Sequence, residues 1–431
     1  MMRPASNMGR PPVRRLPRAR TAVHFHMEPV RMNFFAPRMS RFKPSPSQIA
    51  AARVRDLQAE GRKIIKLTSG EPDFPTPDHA KQAVIDLMDR NEIWYTPING
   101  TLDMRKAAQL KFKRDNGLDY GLDQITAGAG TKQILFNCLM ATVSQGDEVI
   151  IPAPYWASYP DMVLLAGGTP VIVSSGQNNQ FKMRPEQLEE AITDKTKWLM
   201  FSSPSNPTGA TYTKDELRAL ADVLLKHPHV HIVTDDVYEH LIFDDREFHT
   251  LAEIEPKLYD RTVTCNGVSK AYSMTGWRLG FAGGPKEIIA NMSKMQSQST
   301  SGVSSVAQAA AIAALTGPQD FIKDRTANLQ RRRDMLFEKL SAAKGLSCDK
   351  PEGAMYIFCS CAGTIGKKAP DGRIIETDTD FTMYLLDSVG VAVVQGDAYG
   401  LSPYFRASFV APEKDIIEGG DLIQQACAAL T

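Results

Sequence analysis

A few residues of this 431-residue chain have side chains suited to chemistry. Lys270 and Arg278 stand eight positions apart in one segment, and Asp235 precedes Tyr238 by three positions. A lysine amine attacks carbonyl carbons, whereas an arginine binds a phosphate or carboxylate through paired hydrogen bonds. A carboxylate buried at the end of a strand needs a cationic partner, since an unpaired buried charge is very costly. These residue types favour a ligand that carries anionic groups, a carbonyl carbon and a basic nitrogen.

The predicted secondary structure brings such residues to one place. Short β-branched runs alternate with helical stretches, which is typical of an α/β domain with a largely parallel sheet. The predicted strands are Asp123–Ala127, Glu148–Ile151, Pro170–Val173, Trp198–Phe201, His229–Val233 and Arg261–Cys265. The predicted helices include Thr131–Thr142, Lys214–Leu225 and a long charged helix, Gln319–Ala342. Ligands of open parallel sheets lie beyond the carboxyl ends of the strands, where these side chains follow.

Five segments at these strand ends match the needs of pyridoxal phosphate. Gly130, Thr131 and Lys132 open a helix whose free N–H groups favour a phosphate. Trp156 offers a stacking face and Asn206 an amide, while the remaining two segments supply the carboxylate, the lysine and the arginine named above. The cofactor requires a phosphate site, a ring platform, a carboxylate for its pyridinium nitrogen and an amine for its aldehyde.

With these residues in place, the sequence resembles the class I (fold type I) pyridoxal-phosphate aminotransferases, in particular the bacterial and plastid-like aspartate aminotransferase branch. The matching segments are Lys43-Pro-Ser-Pro-Ser47, Ser69-Gly-Glu-Pro-Asp-Phe74, Trp94-Tyr-Thr-Pro-Ile-Asn-Gly100, Pro154-Tyr-Trp-Ala-Ser-Tyr159, Ser205-Asn-Pro-Thr-Gly209, Asp235–Tyr238, Ser269-Lys270, Gly276-Trp-Arg278, Pro351-Glu-Gly-Ala354 and Phe405-Arg-Ala-Ser408. The resemblance implies a large domain with a mostly parallel seven-stranded sheet flanked by helices, plus a smaller α+β domain. The expected boundaries are a basic leader at 1–40 that is either disordered or the product of a wrongly chosen start codon, an arm joining the small domain at 41–75, the large cofactor domain at 76–318 and the small domain at 319–431.

The resemblance also implies a role for each site residue. Lys270, after Ser269, would hold the cofactor aldehyde and then carry a proton from the substrate Cα. Asp235 would keep the ring nitrogen protonated, and Tyr238 and Asn206 would bond the 3-oxyanion. Trp156 would stack on the ring. The phosphate would lie between Arg278 and the helix start at Gly130, Thr131 and Lys132. Tyr95 matches the tyrosine that reaches the neighbouring subunit's phosphate, which implies a homodimer with shared sites.

Substrate recognition is expected from a second group of residues. Arg406 would bind the α-carboxylate with the help of Asn206 and Gly70, and Trp156 would lie beside the substrate. Lys43 and Ser47 stand where this branch holds the distal carboxylate. Met140 replaces a second lysine that some relatives use, so the distal-carboxylate site departs from the family pattern.

The predicted function is transfer of an amino group between L-aspartate or L-glutamate and 2-oxo acids, by a ping-pong cycle of aldimine and ketimine steps. Preference for prephenate, aromatic amino acids or alanine stays open. A carbon–sulfur lyase with the same cofactor is the rival reaction. A DNA-binding regulator built on this fold is the rival from another class, and it predicts salt-dependent DNA binding that is lost when residues 1–38 are deleted.

Composition argues against several other classes. The formal charge is +1, but six arginines and no acid lie in the first 27 residues, so the remainder has five more acids than bases. No nucleic acid or membrane partner is expected.

Six scattered cysteines favour a reducing, cytoplasmic location, with an organelle as the alternative if the leader is a transit peptide. The tract His227–His231 abuts a strand, so no metal site is predicted. Cys359-Ser-Cys361 is interpreted as two small hydrophobic residues on one strand face.

Overall fold

The computed structural model describes residues 34–42 and 46–431. The chain divides after Pro37, and Arg38–Thr431 forms one compact unit that contains every element discussed below. Among the described residues, no helix combines the length and apolarity needed to cross a bilayer.

A seven-stranded sheet forms the centre of this unit. Its strands are β2 Ile125–Gly128, β3 Glu148–Ala153, β4 Thr169–Ser174, β5 Thr196–Phe201, β6 His231–Asp235, β7 Thr262–Gly267 and β8 Gly280–Gly283. They lie in the order β2-β8-β7-β6-β5-β3-β4, and only β8 runs antiparallel to its neighbours. The predicted α/β class with a mostly parallel seven-stranded sheet is confirmed.

Smaller sheets lie toward the C-terminal end of the chain. Their strands are β1 Ile65–Lys66, β9 Ser347–Cys348, β10 Tyr356–Ser360, β11 Val391–Ala392, β12 Val394–Gln395 and β13 Tyr404–Ser408. Four of them form an antiparallel sheet in the order β12-β13-β10-β9, and β1 pairs in parallel with β11.

Thirteen helices in the described residues surround these sheets. They are α1 Pro46–Ala59, α2 Asp78–Asp89, α3 Leu102–Asn116, α4 Thr131–Thr142, α5 Ser158–Ala166, α6 Pro185–Ala191, α7 Lys214–Lys226, α8 Leu251–Ile254, α9 Lys286–Ser297, α10 Ser305–Thr316, α11 Asp320–Ser341, α12 Asp378–Val389 and α13 Glu413–Ala428. The helix α7 shows why such segments form. Thr213 and Glu216 bond each other's backbone N–H groups as a capping box, and apolar residues at helical spacing face the sheet.

The strand β8 was not predicted from sequence. Its residues, Gly-Phe-Ala-Gly, lack the β-branched content that marks a strand. The structure supplies the reason for the glycines, because a Cβ on Gly280 would collide with the backbone of Gly130 and Thr131, and one on Gly283 with the Tyr120 ring. The strand thus allows the start of α4 to lie directly against the sheet.

Candidate active site

A pocket of about 550 Å³ lies where the carboxyl ends of β5, β6 and β7 face the four-stranded sheet. Its walls come from distant parts of the chain. Its lining includes Thr68, Gly70, Thr131, Lys132, Trp156, Tyr159, Ser202, Asn206, Asp235, Tyr238, Ser269, Lys270, Arg278, Tyr356, Tyr399 and Arg406. Eleven of the residues predicted from sequence are in this set.

Lys270 provides the amine of the pocket. It follows β7 and lies on a loop, where its Nζ donates to the Gly70 carbonyl oxygen at 2.7 Å. The same Nζ lies 5.7 Å from the centre of the Tyr238 ring. A Cβ on Gly70 would come within 2.7 Å of the Tyr356 hydroxyl, so glycine is needed for this loop to approach the lysine.

Asp235 ends the central strand β6 and is buried. Tyr159 donates a hydrogen bond from its hydroxyl to Asp235 Oδ2 at 2.7 Å, while Asp235 Oδ1 has no hydrogen-bond partner among the described residues. Burial raises the pKa of Asp235 to about 6, although the hydrogen bond from Tyr159, a backbone hydrogen bond from Val237 and the charge of Lys270 act to lower it. The carboxylate is therefore poised to receive a cationic or N–H donor.

The start of α4 offers an anion-binding corner. Gly130 caps the helix with φ +87°, and the first N–H groups of a helix have no acceptor within it. The Arg278 guanidinium lies against this turn, since a Cβ on Gly130 would be 2.6 Å from its Nη2. Desolvation and the charge of Arg278 lower the pKa of Lys132. Two cations and a helix N-terminus at one corner suit a dianion such as phosphate.

Trp156 forms part of the wall between the carboxylate and this corner. Its ring contacts Tyr159 edge to face at 5.5 Å, and the Lys132 Nζ lies 4.6 Å from the indole centre. The indole is thus fixed from one edge and remains half-buried in the pocket.

Arg406 lies on β13 and faces the lysine from the other sheet. The guanidinium is buried; its Nη1 donates to Asn206 Oδ1 at 3.0 Å and its Nη2 to the Thr68 carbonyl oxygen at 2.8 Å. Its carbon Cζ lies 4.1 Å from the Tyr356 ring centre and 5.1 Å from that of Tyr399. The side chain is held in place from several sides, and its Nε has no partner among the described residues.

A pair of buried tyrosines connects Arg406 with Lys270. The hydroxyl oxygens of Tyr238 and Tyr356 are 3.1 Å apart. Burial and the neighbouring Tyr356 raise the pKa of Tyr238. Burial alone would raise the pKa of Tyr356, but the charges of Lys270 and Arg406 hold it below its usual value. The two shifts have opposite signs, so Tyr356 is the more acidic of the two phenols.

Some predicted site residues lie elsewhere. Gly130 shapes the helix start and does not line the pocket. Tyr95 is fully exposed in this single chain. Lys43 and the side chain of Ser47 lie outside the described residues.

Sequence reasoning missed several lining residues, among them Tyr159, Ser202, Tyr356 and Tyr399. Two of them carried a usable signal, because Tyr159 closes the segment that begins at Pro154 and Ser202 directly follows β5. Tyr356 and Tyr399 come from the four-stranded sheet and the turn after β12, where no sequence pattern marks a pocket.

Known proteins are similar to this chain over most of its length. A sequence model of the family described as aminotransferase class I and II matches residues 62–418. A probable aspartate/prephenate aminotransferase of Rhizobium leguminosarum is 54% identical over 92% of this chain and 100% of its own. The aspartate/prephenate aminotransferase of Cereibacter sphaeroides is 53% identical over 93% of this chain and 100% of its own.

Two solved structures extend the comparison to the fold. The crystal structure of aspartate aminotransferase from Rhizobium meliloti has a TM-score of 0.90 at 50% identity, covering 92% of this chain and 99% of that one. The aspartate aminotransferase of Thermus thermophilus, in a structure with maleate, has a TM-score of 0.85 at 36% identity, covering 92% of this chain and 100% of that one.

Proposed function

This chain belongs to the class I and II aminotransferases, a pyridoxal-phosphate-dependent family, and on that premise we propose that it transfers the amino group between L-aspartate or L-glutamate and 2-oxo acids, namely oxaloacetate and 2-oxoglutarate. The observation that carries the proposal is the buried Arg406 fixed opposite Lys270 in one pocket. A fixed guanidinium binds a carboxylate in two parallel hydrogen bonds and so orients the amino acid.

The pocket fits pyridoxal phosphate by its donors and acceptors. The buried Asp235 Oδ1 has no partner among the described residues, as a site for a ring N–H requires. The Arg278 guanidinium and the start of α4 would hold the phosphate, and Trp156 would lie against the ring. When bound, the cofactor supplies a conjugated ring that accepts electron density from the substrate Cα.

We assign the proton transfers to Lys270. The amine donates to the Gly70 carbonyl oxygen and lies in the same pocket as Arg406, which would fix the substrate. Acting as a general base and then as an acid, it would remove the proton from the substrate Cα and deliver it to the carbon on the other side of the amino nitrogen, which is the cofactor's aldehyde carbon. Asp235 in its ionised form stabilises positive charge on the ring nitrogen, which favours the step that leaves electrons at Cα.

Asn206 and Tyr238 would bond the cofactor oxygen beside the reacting carbon. The Asn206 side-chain oxygen accepts a hydrogen bond from Arg406, so the other end of the amide, its NH2 group, is left to donate to the cofactor oxygen. The raised pKa of Tyr238 likewise keeps its proton available for donation. One amide thus connects the carboxylate-binding arginine with the oxygen of the cofactor.

The preference for aspartate is supported by the relatives. Those at 50% identity or more include proteins named aspartate aminotransferase, and the Thermus enzyme was solved with maleate, a dicarboxylate. Others are named aspartate/prephenate aminotransferases, which favours prephenate as the second candidate substrate. Replacing Lys43 with Met should raise KM for aspartate and spare alanine. An equal loss with both substrates would show that Lys43 does not bind the distal carboxylate.

A half-reaction tests the proposed activity. The purified holoenzyme is mixed with L-aspartate in the absence of a 2-oxo acid, and its absorbance is followed together with pyruvate and ammonia. Conversion to the pyridoxamine spectrum with oxaloacetate release supports transfer, and Lys270→Ala should abolish it. Pyruvate and ammonia released without any 2-oxo acid would contradict transfer and favour a lyase.

We further propose a homodimer whose sites are shared. Trp94 and Tyr95 are 73% and 101% exposed, which is unusual for adjacent aromatic residues of a single chain. If Tyr95 completes the neighbouring site, Tyr95→Ala and Lys270→Ala chains are each inactive but complement one another when co-expressed. A mixed dimer then has one intact site, so about a quarter of wild-type activity is expected from random pairing. Absence of any recovery in verified mixed dimers would contradict sharing.

Two further parts of the proposal concern the domain boundaries and the cellular location. The pairing of β1 with β11 supports placing residues 41–75 with a small domain at 319–431, beside a large domain at 76–318. The six free thiols support a cytoplasmic location.

A further inference from the structure

The four-stranded sheet places two cysteines side by side, away from the pocket. Cys348 lies on β9, the edge strand, and Cys359 on β10, and the two are direct partners in the antiparallel register. Cys359 is fully buried, whereas Cys348 is half-buried and lines a cavity of about 500 Å³. One thiol is therefore reachable by a small solute, and the other is protected behind it.

We propose that Cys348 and Cys359 form a peroxide-oxidisable pair, closing a reversible disulfide between β9 and β10. Opposite residues of an antiparallel pair have Cβ atoms about 4.5–5.5 Å apart, close to the ~3.8 Å of a disulfide. The strand β9 has two residues and one neighbour strand, so it can make this small approach.

The alternative pairing within Cys359-Ser-Cys361 is disfavoured by geometry. Cys359 lies on β10 and Cys361 directly follows that strand, so two residue steps of extended backbone separate their Cβ atoms by about 6.6 Å, which exceeds the roughly 3.5–4.5 Å that a disulfide requires. Both residues do face the apolar core, as expected from sequence. The pairing of Cys348 with Cys359 could not be inferred from sequence, because the cross-strand register cannot be read from local spacing.

The surroundings set the order of reaction. The hydrogen bond from Cys359 lowers the pKa of Cys348, and Ser341 Oγ lies 3.5 Å from its sulfur. Burial raises the pKa of Cys359 well above its usual value. Cys348 therefore forms the thiolate that reacts first, and Cys359 is the second, resolving thiol.

The chemistry balances with hydrogen peroxide as the oxidant. The Cys348 thiolate attacks one peroxide oxygen, so that the O–O bond breaks, an S–O bond forms, and hydroxide leaves and takes up a proton to become water. Cys359 sulfur then attacks Cys348 sulfur, forming the S–S bond as the S–O bond breaks. The departing hydroxide takes the Cys359 proton. Two thiols lose two electrons in total, and the peroxide becomes two waters.

The experiment treats the holoenzyme with hydrogen peroxide, blocks remaining thiols and maps peptides by mass spectrometry. We expect the six free thiols to fall to four, a mass loss of about 2 Da, a cross-linked pair of peptides containing Cys348 and Cys359, and reversal by dithiothreitol. The peptide map of the wild-type enzyme identifies the cross-linked cysteines without any substitution, so it stays informative even if a variant does not fold. Cys348→Ser should slow thiol loss by at least about tenfold, and Cys348→Ala serves if the serine variant does not fold.

The matched control is Cys361→Ser, which should leave the cross-link intact. Three results would overturn the proposal: a map that joins other cysteines, oxidation of Cys348 to the sulfinic acid while Cys359 remains a thiol, or no change under peroxide that oxidises a free cysteine peptide. The readout is independent of amino-group transfer, so it tests the thiol pair apart from the proposed activity.

Discussion

Tyr159 affects the pKa of the Asp235 carboxylate, which lines the pocket. It donates to Asp235 Oδ2, and a donor to the ionised form lowers a carboxyl pKa. Asp235 must be ionised to bind a protonated ring nitrogen, so cofactor affinity of the apoprotein should fall as the pH drops through a value near 6. The tyrosine makes the site usable at lower pH than burial alone would permit.

Tyr159→Phe therefore should shift this midpoint to higher pH. Loss of one charge-assisted hydrogen bond corresponds to about one pH unit. Cofactor dissociation constants measured across the pH range on both sides of the midpoint check this, with Tyr384→Phe as control because its hydroxyl donates to the Ala426 carbonyl oxygen away from the pocket. An unchanged midpoint would show that Tyr159 does not act on Asp235.

At the scale of elements, the contact of β8 with the start of α4 sets the phosphate corner. A Cβ on Gly280 would meet the Thr131 backbone nitrogen and would lie 2.6 Å from the Gly130 carbonyl carbon, and neither can move without shifting the helix. Gly280→Ala should weaken cofactor binding by about 5-fold to 150-fold, since overpacking costs roughly 1–3 kcal/mol.

Fluorescence titration of the apoprotein measures that change. Gly176→Ala is the matched control, because its Cβ would meet only the Asn178 Oδ1 at 3.1 Å, at the end of an adaptable side chain. Equal cofactor affinity in both variants would mean that the helix start is not positioned by this contact.

The helix α11 carries three consecutive arginines with different roles. Arg333 is fully buried; its guanidinium donates to both Asp244 carboxylate oxygens at 2.6 and 2.8 Å, and to the Pro351 carbonyl oxygen at 3.0 Å. Arg331 pairs with Glu413 at the surface. Arg333→Ala should lower the free energy of unfolding by about 2–4 kcal/mol, because it leaves a cavity and an unpaired carbonyl.

Urea unfolding compares this variant with Arg331→Ala, which should lose less than about 1 kcal/mol. Similar losses in the two variants would contradict the structural role assigned to Arg333.

Much of the architecture could be predicted because local signals agree with the fold. The bounds of α4 match the prediction, and α11 begins and ends one residue inside it. The strand β8 could not be predicted because its glycines are required by close contacts with Gly130 and Tyr120, which lie about 150 residues earlier in the chain. Arg331, Arg332 and Arg333 look alike in sequence. Tertiary packing decides that Arg332 and Arg333 are buried and that Arg331 is exposed.

The site was predictable where a strand end brings a residue to the pocket. Asp235 ends β6, and Asn206 and Lys270 follow β5 and β7, so their convergence follows from sheet topology. Tyr356 was missed because it reaches the pocket from a different sheet, and nothing local encodes how the two sheets meet.

For the whole molecule, the pocket residues that the structure describes lie between Thr68 and Arg406, and the compact unit begins at Arg38. Removing residues 1–33 should therefore leave kcat and the thermal midpoint unchanged within error. Steady-state kinetics with aspartate and differential scanning calorimetry on both lengths test this. A marked loss of turnover in the shortened chain would place a functional contact in the leader.

The unmet polar atoms of the pocket also have a thermodynamic consequence. Asp235 Oδ1 and Arg406 Nε are buried with no hydrogen-bond partner among the residues that the structure describes, and each such atom lowers the stability of the ligand-free protein by about 1–3 kcal/mol. A ligand that binds these atoms acts as a folding partner, contributing about 2.7 kcal/mol at a hundredfold excess over Kd. The melting temperature should thus rise once with the cofactor and again with an unreactive dicarboxylate, and a flat response would show that these atoms are satisfied in solution. The polar atoms that select the ligand thus also make the stability of the fold depend on ligand binding.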